Sequence, residues 1–188
     1  MQSMRRRSQR RFFLALAAGL ASVPASAFAA SLVLASTAML TLDAARHTAT
    51  LNVDASHGAA LRQIAQGQPA SLRGDPARYR YAALVLDDLA LTAGGARGGY
   101  FYKIYVSPAG AVHAAPPQLV GTLGPFEIAA ARQRGAASLT YSLDGMSWDA
   151  GAPASSPLVV TFERTEGTDG PLIRIGSVKL ALRTEPPN

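Results

Sequence analysis

Histidines, clustered carboxylates and one serine pair are the side chains of this sequence that could do chemistry. His47, His57 and His113 are the only histidines, and imidazole is a common ligand of copper and zinc. His47 and His57 stand ten residues apart and His113 follows a turn, a pattern with no recognised ligand spacing. They read as isolated surface histidines. A dinuclear copper centre with three histidines on each ion needs twice the number present here. The carboxylates pair as Asp87-Asp88 and as Glu163 with Glu166. Neighbours on a strand point to opposite faces, so Asp87 and Asp88 are not expected to share a proton. A strand break or a bulge accounts for them better. Ser155-Ser156 sits in a Gly/Pro/Ala-rich turn, and no G-x-S-x-G elbow is present. Gly94 to Gly99 lacks the lysine and the strand-to-helix setting of a phosphate loop. Without cysteine, the chain has no thiol nucleophile, disulfide or Cys-ligated zinc. No catalytic residue and no metal ligand is assigned.

The elements that must position these residues are mostly strands. Period-two alternation and apolar runs bounded by Gly, Pro and Asp recur through the body. Strands are expected over Thr48 to Val53, over Tyr79 to Thr92 (as one strand or two broken at Asp87-Asp88), and over Tyr100 to Ser107. More follow over Gln118 to Leu123, Ala137 to Leu143, Pro157 to Glu163 and Leu172 to Leu182. Asp144-Gly145 and Pro108-Ala109-Gly110 are turns, and Gly94 to Gly99 is a loop in which glycine can adopt φ > 0. Helical signal is confined to Ala59 to Gln66, with Ser56 as its cap, and to Phe126 to Arg134. This pattern predicts an all-β fold, an antiparallel β-sandwich or barrel-like domain.

The charge is unevenly spread. The net charge of +6 comes from 18 basic and 12 acidic residues, yet Arg5, Arg6, Arg7, Arg10 and Arg11 fall within the first eleven positions. Past Ala29 the basic count drops to 13 against the same 12 acids. The body is nearly neutral, its arginines are scattered, and no nucleic-acid partner is expected. Tyr100, Phe101, Tyr102 and Tyr105 could mimic a base-stacking platform, but a core strand explains them more simply. With 48% apolar and 16% charged residues the chain is too apolar for disorder.

The basic N-terminus is the start of an export signal. Phe12 to Val23 is an apolar run too short to span a bilayer, which takes about 20 residues. Ala25-Ser26-Ala27 and Ala27-Phe28-Ala29 are small-residue cleavage patterns, so residues 1–29 read as a cleavable signal with no stable membrane anchor. Arg10, Arg11, Phe13 and Leu14 fit a twin-arginine signal, read by the twin-arginine translocase. That route carries folded cargo, and the product is expected to be exported, periplasmic or secreted. The remainder divides into an N-terminal segment, 30–78, with one or two strands and a short helix, and a β-domain, 79–184.

From about Arg80 to Leu182 the body resembles the C-terminal domain of polyphenol oxidases, the tyrosinases and catechol oxidases. That domain carries a lysine-phenylalanine-aspartate-valine strand that ends in tyrosine-valine-asparagine. Tyr102-Lys103-Ile104-Tyr105-Val106-Ser107 matches it in part. Ala83 to Leu91 is similar to the preceding aliphatic strand with its short acidic segment. Gly121-Thr122-Leu123 is similar to the family's Gly-Ser-Phe segment, and Ile173-Arg174-Ile175-Gly176-Ser177-Val178 to its closing strand with a central glycine. The departures are Lys103 where the family has aspartate, Leu123 in place of phenylalanine, and no histidine after Pro125. The histidine-rich copper domain is missing altogether.

The resemblance implies a β-sandwich-like cap that packs over a copper domain and can shield its active site. Bacterial tyrosinases also travel with small twin-arginine-bearing caddie proteins that assist copper loading and export. The expectation is therefore a non-catalytic, shield- or caddie-like accessory of a tyrosinase-like copper oxidase. Copper would sit in that partner, and this chain would bind no cofactor. The expected plug is an aromatic beside the Gly-rich loop, with Tyr100, Phe101 and Tyr102 as candidates. By alternation Phe101, Lys103 and Tyr105 share one face of their strand, and Lys103 makes that face the more exposed. The alternative is a free-standing periplasmic β-sandwich that binds a small ligand or surface component.

Overall fold

The computed structural model describes residues 30–109, 116–146, 148 and 155–187. Arg10, Arg11, Phe13 and Leu14, the residues of the expected export signal, and His113 lie outside the described residues. The strands are β1 (Ser31–Thr37), β2 (Leu40–Leu42), β3 (Arg46–Leu51), β4 (Tyr81–Leu91), β5 (Tyr102–Pro108), β6 (Gln118–Leu123), β7 (Leu139–Ser142), β8 (Leu158–Arg164) and β9 (Ile173–Arg183). They form two antiparallel sheets, one in the order β1-β9-β4-β7 with β2 also on β9, the other in the order β3-β8-β5-β6. The all-β sandwich expected from the sequence is the observed architecture.

Alternation explains how the sheets close on each other. Tyr102, Ile104 and Val106 of β5 are buried, whereas Lys103 and Tyr105 are half-buried. On β8, Leu158, Val160 and Phe162 face the same interior, and β4 and β9 supply Leu84, Leu86, Ile175, Val178 and Leu180 from the opposite sheet. Side chains of this size gain about 1.5–3 kcal/mol each on full burial, so the interior is the main source of stability.

Two helices seal the ends. In α1 (Ala55–Ala65) the buried residues are Gly58, Ala60, Leu61 and Ile64. Its cap is Asp54, not Ser56: Asp54 Oδ1 accepts from His57 N at 2.9 Å and from Ser56 Oγ at 2.7 Å. A carboxylate here also meets the positive helix end, a stronger reason to cap than a hydroxyl has. The helix α2 (Pro125–Gln133) starts with proline in its first turn and buries Ile128 and Ala131.

The segment 30–78 holds three strands rather than one or two. β1 and β2 pair with β9 and β3 pairs with β8, so all three strands belong to the sandwich. No helix among the described residues is long and apolar enough to cross a membrane.

The acidic pair lies in one unbroken strand. Asp88 has φ 53° in the middle of β4, and the β4–β9 register is unchanged across it, from Asp87↔Ser177 to Leu89↔Ile175. There is neither a break nor an inserted bulge residue. The left-handed step instead reverses the alternation: Leu86 and Leu89 both enter the core, leaving both aspartates outside. Asp87 and Asp88 thus share a face, contrary to the expectation from regular alternation. Asp87 is engaged by Lys179 Nζ at 2.5 Å.

Candidate functional site

Strand direction gathers four connections at one end of the sandwich. These are the β2–β3 turn (43–45), the β4–β5 loop (92–101), α2 with its flanks (124–138), and the β8–β9 loop (165–172). The β4–β5 and β8–β9 loops enclose a cleft of about 610 Å³, lined by Thr92, Gly94, Arg97, Gly98, Tyr100, Gly167 to Leu172 and Ala93.

Each wall is held from behind. In the β4–β5 loop, Gly95 to Arg97 makes a 3₁₀ turn and Gly98 and Gly99 follow at φ 73° and 78°, a conformation glycine adopts without cost. Thr92 Oγ1 donates to the Pro171 carbonyl and accepts from Gly95 N at 3.0 Å, tying the two loops together. Tyr100 Oη donates to Gly95 O at 3.2 Å, and a Cβ at Gly95 would strike the Leu172 carbonyl. The β8–β9 loop is fixed by Arg164, whose side chain is only 8% exposed. Its guanidinium donates to Thr168 O at 2.7 Å and to Asp169 Oδ1 at 2.5 Å. The bond to Asp169 raises the guanidinium pKa further, so this cation does not titrate.

The three candidate aromatics part ways here. Tyr100 is 6% exposed and Tyr102 fully buried, their rings meeting edge to face at 6.1 Å. Burial, with Tyr102 alongside, pushes the Tyr100 phenol up to about 12. Burial likewise raises the Tyr102 phenol, whose Oη donates to Ala44 O at 3.3 Å. Both rings are buried in the floor of the loop cluster, and Tyr100 lines the cleft. Phe101 points the other way and is half-buried, as alternation predicts. A Cβ on Gly124 would lie 3.3 Å from Phe101 Cβ, so this ring stands beside the start of α2.

The aromatic that does project is Phe126, 81% exposed. It follows Pro125 in the first turn of α2. At 100° per residue it lies on the side of the helix away from the buried Ile128 and Ala131. Helical periodicity over 126–134 carries that signal, whereas the expected plug is placed at Tyr100, Phe101 and Tyr102 for their position beside the Gly-rich loop.

The remaining polar residues are structural. His47 Nε2 accepts from Asp43 N at 3.0 Å and Ala44 N at 2.9 Å, so this nitrogen closes the β2–β3 turn and its lone pair is used. His57 Nδ1 lies 2.9 Å from Asp54 Oδ2 at the far end of the sandwich, on α1. The described residues hold no group of three His, Asp or Glu arranged for a metal ion. Glu163 sits on β8 across from Arg46 and Lys103, away from Asp87 and Asp88 on the other sheet.

Tyr141 joins the open edges of the two sheets. Its Oη donates to Thr122 O at 2.7 Å, and its ring covers Gly121, where a Cβ would come within 2.5 Å. Burial, and then the nearby Glu127, raises its phenol well above the ordinary range. Comparison of the chain with protein-family models, curated proteins and solved structures finds no match in any of the three.

Proposed function

We propose that the chain is an exported, non-catalytic accessory of a tyrosinase- or catechol-oxidase-type copper enzyme, aiding its export, copper loading or latency. The observation that carries this reading is the exposed Phe126, set on a helix rather than a floppy loop, with Phe101 beside its start. A large exposed aromatic on a rigid element is the usual anchor of a protein interface. The order of the segments that resemble the polyphenol-oxidase domain adds support. They fall in β4, β5, β6 and β9 of a single sandwich. Export through the twin-arginine pathway, with copper held by the partner and none by this chain, completes the proposal.

The test is co-purification of the exported protein with a copper oxidase encoded next to it, with and without copper. Capture of the oxidase, with a change in its copper content or activity that Phe126→Ala removes, is the expected result. No complex and no change in either property would overturn the proposal. The competing reading, a free-standing periplasmic binding module, is favoured by the cleft between the β4–β5 and β8–β9 loops. Binding of a small ligand there with no oxidase bound would favour that reading.

A further inference from the structure

The cleft has features that its role in holding the loops together does not use. Arg97 lines it, is exposed, and has no ion-pair partner among the described residues. The other cation of this region, Arg164, is committed to Asp169 and Thr168. On the facing wall Gly167, Thr168 and Asp169 make no backbone N–H bond among the described residues. Successive free N–H groups in a glycine turn form a concavity suited to anions and to backbone carbonyls. Gly167 and Gly170 hold positive φ, 87° and 126°, and bracket these three N–H groups at the rim of the cleft. Glycine at 94, 98, 167 and 170 also removes side chains that would keep another backbone away. The acids nearby are Asp169, already paired with Arg164, and the exposed Glu166 on the same loop.

The cleft lies close to the start of α2, the helix that carries the exposed Phe126. A Cβ at Gly167 would lie 2.9 Å from Tyr100 Cβ, and one at Gly124 would lie 3.3 Å from both Tyr100 O and Phe101 Cβ. Tyr100 and Phe101 therefore link the cleft to the start of α2, one residue from Pro125 and two from Phe126. The volume of about 610 Å³ falls within the span of about 300–1,000 Å³ typical of ligand pockets.

We infer that the cleft receives an extended peptide segment of the partner protein carrying a glutamate or aspartate, whose carboxylate pairs with Arg97 while its backbone meets the 167–169 turn. The inference rests on the proposed accessory role and makes the interface reciprocal. This chain offers Phe126 to the partner, and the partner offers an acidic segment to this chain.

Two measurements test it. In the first, the purified protein is titrated with the peptide acetyl-Gly-Ala-Glu-Ala-Gly-amide, and the amide resonances of Gly98, Gly167 and Gly170 are followed by NMR. They are expected to shift, with binding weakened roughly ten-fold or more when glutamine replaces glutamate or in Arg97→Glu, the loss of a charge-assisted hydrogen bond. Arg97→Lys is expected to keep part of the affinity. In the second, oxidase capture is compared for wild type, Arg97→Glu and Arg97→Lys. Capture is expected to fall roughly ten-fold or more in the first variant and less in the second. Arg97 is exposed, so each variant should fold, which unchanged thermal unfolding verifies. Absence of peptide shifts up to the solubility limit, or capture indifferent to Arg97→Glu, overturns the inference. Failure of the wild type to capture any oxidase instead counts against the accessory role, because the peptide titration needs no oxidase. Equal binding of the glutamine peptide would show that the cleft is a general backbone site, and the acidic requirement would be wrong.

Discussion

Asp88 and Gly176 face each other across β4 and β9, and each depends on the other. A Cβ on Gly176 would lie 2.6 Å from Asp88 Cβ and 2.9 Å from Asp88 Oδ2. The left-handed Asp88 lays its side chain over the glycine, and both strands change inward phase at this level. Val178 and Ile175 are core residues on β9, as Leu86 and Leu89 are on β4. Gly176→Ala is expected to cost about 1–3 kcal/mol by overpacking. Asp88→Gly should be neutral or stabilising by up to about 1 kcal/mol, since it removes the strain of a non-glycine residue at positive φ. It should also rescue part of the Gly176→Ala loss, because the clashing Cβ is gone. A double-mutant cycle by denaturant unfolding reads this coupling directly, and strict additivity would refute the relationship.

Tyr141 and Gly121 give a second, independent test. Gly121→Ala drives a methyl into the Tyr141 ring and is expected to destabilise by about 1–3 kcal/mol. Tyr141→Phe keeps the ring but leaves Thr122 O without its partner, an expected loss of about 1–2 kcal/mol. Thermal unfolding should rank both below wild type. A wild-type melting temperature for Tyr141→Phe would mean that the hydroxyl contributes nothing.

Alkaline pH should weaken the fold in a predictable window. The Tyr79 and Tyr100 phenols are pushed up to about 12 in the folded chain, Tyr79 by burial and then by its bond to Asp75, Tyr100 by burial. Unfolded tyrosine ionises near 10. Above that pH the unfolded chain sheds protons that the folded chain keeps, so stability is full below about 10 and falls as pH rises toward 12. Tyrosinate absorbance in the folded protein should lag behind that of the denatured chain. Tyr100→Phe should remove its share of the alkaline loss, and an unchanged pH slope would count against the burial argument.

Arg164 and Asp169 should respond unequally to truncation. Asp169 is 81% exposed, so Asp169→Ala is expected to cost no more than about 1 kcal/mol. Arg164→Ala also removes a buried stem and both of its bonds to the loop, an expected loss of about 1–2 kcal/mol. Denaturant midpoints separate the two, and equal effects would mean that the ion pair alone matters.

Phe126→Ala should leave stability within about 0.5 kcal/mol of wild type, as is usual for exposed positions. Any effect on partner capture would then reflect the surface and not the fold. A large drop in melting temperature would show that the ring packs on its own domain.

Much of the fold was legible because strand alternation is a local signal. The Lys103/Ile104 alternation of β5 and the turn residues Asp144-Gly145 marked their elements correctly. The three strands of 30–78 were harder. β2 is three residues long and exists only because β9 lies beside it. At Asp88 the local rule failed, because regular alternation assumes extended backbone at every residue. The site was less legible still. Whether a residue in a strand faces core or partner depends on what covers it, so Tyr100 and Tyr102 could be read either way until the opposite sheet was in place. Arg97 and the 167–169 turn are 70 residues apart in the chain, and their meeting follows from sheet order alone.

The order of β8 and β9 relative to their partners has a consequence for assembly. β9 is flanked by β1 and β2 on one side and β4 on the other, and β8 lies between β3 and β5. An inner strand of each sheet thus follows in the chain every strand it pairs with. Until Arg183 has emerged, Ser31 has no partner and the N-terminal strands are an unfinished edge. The first sheet can close only once β9 is available, and loss of that strand would cost the sheet its middle.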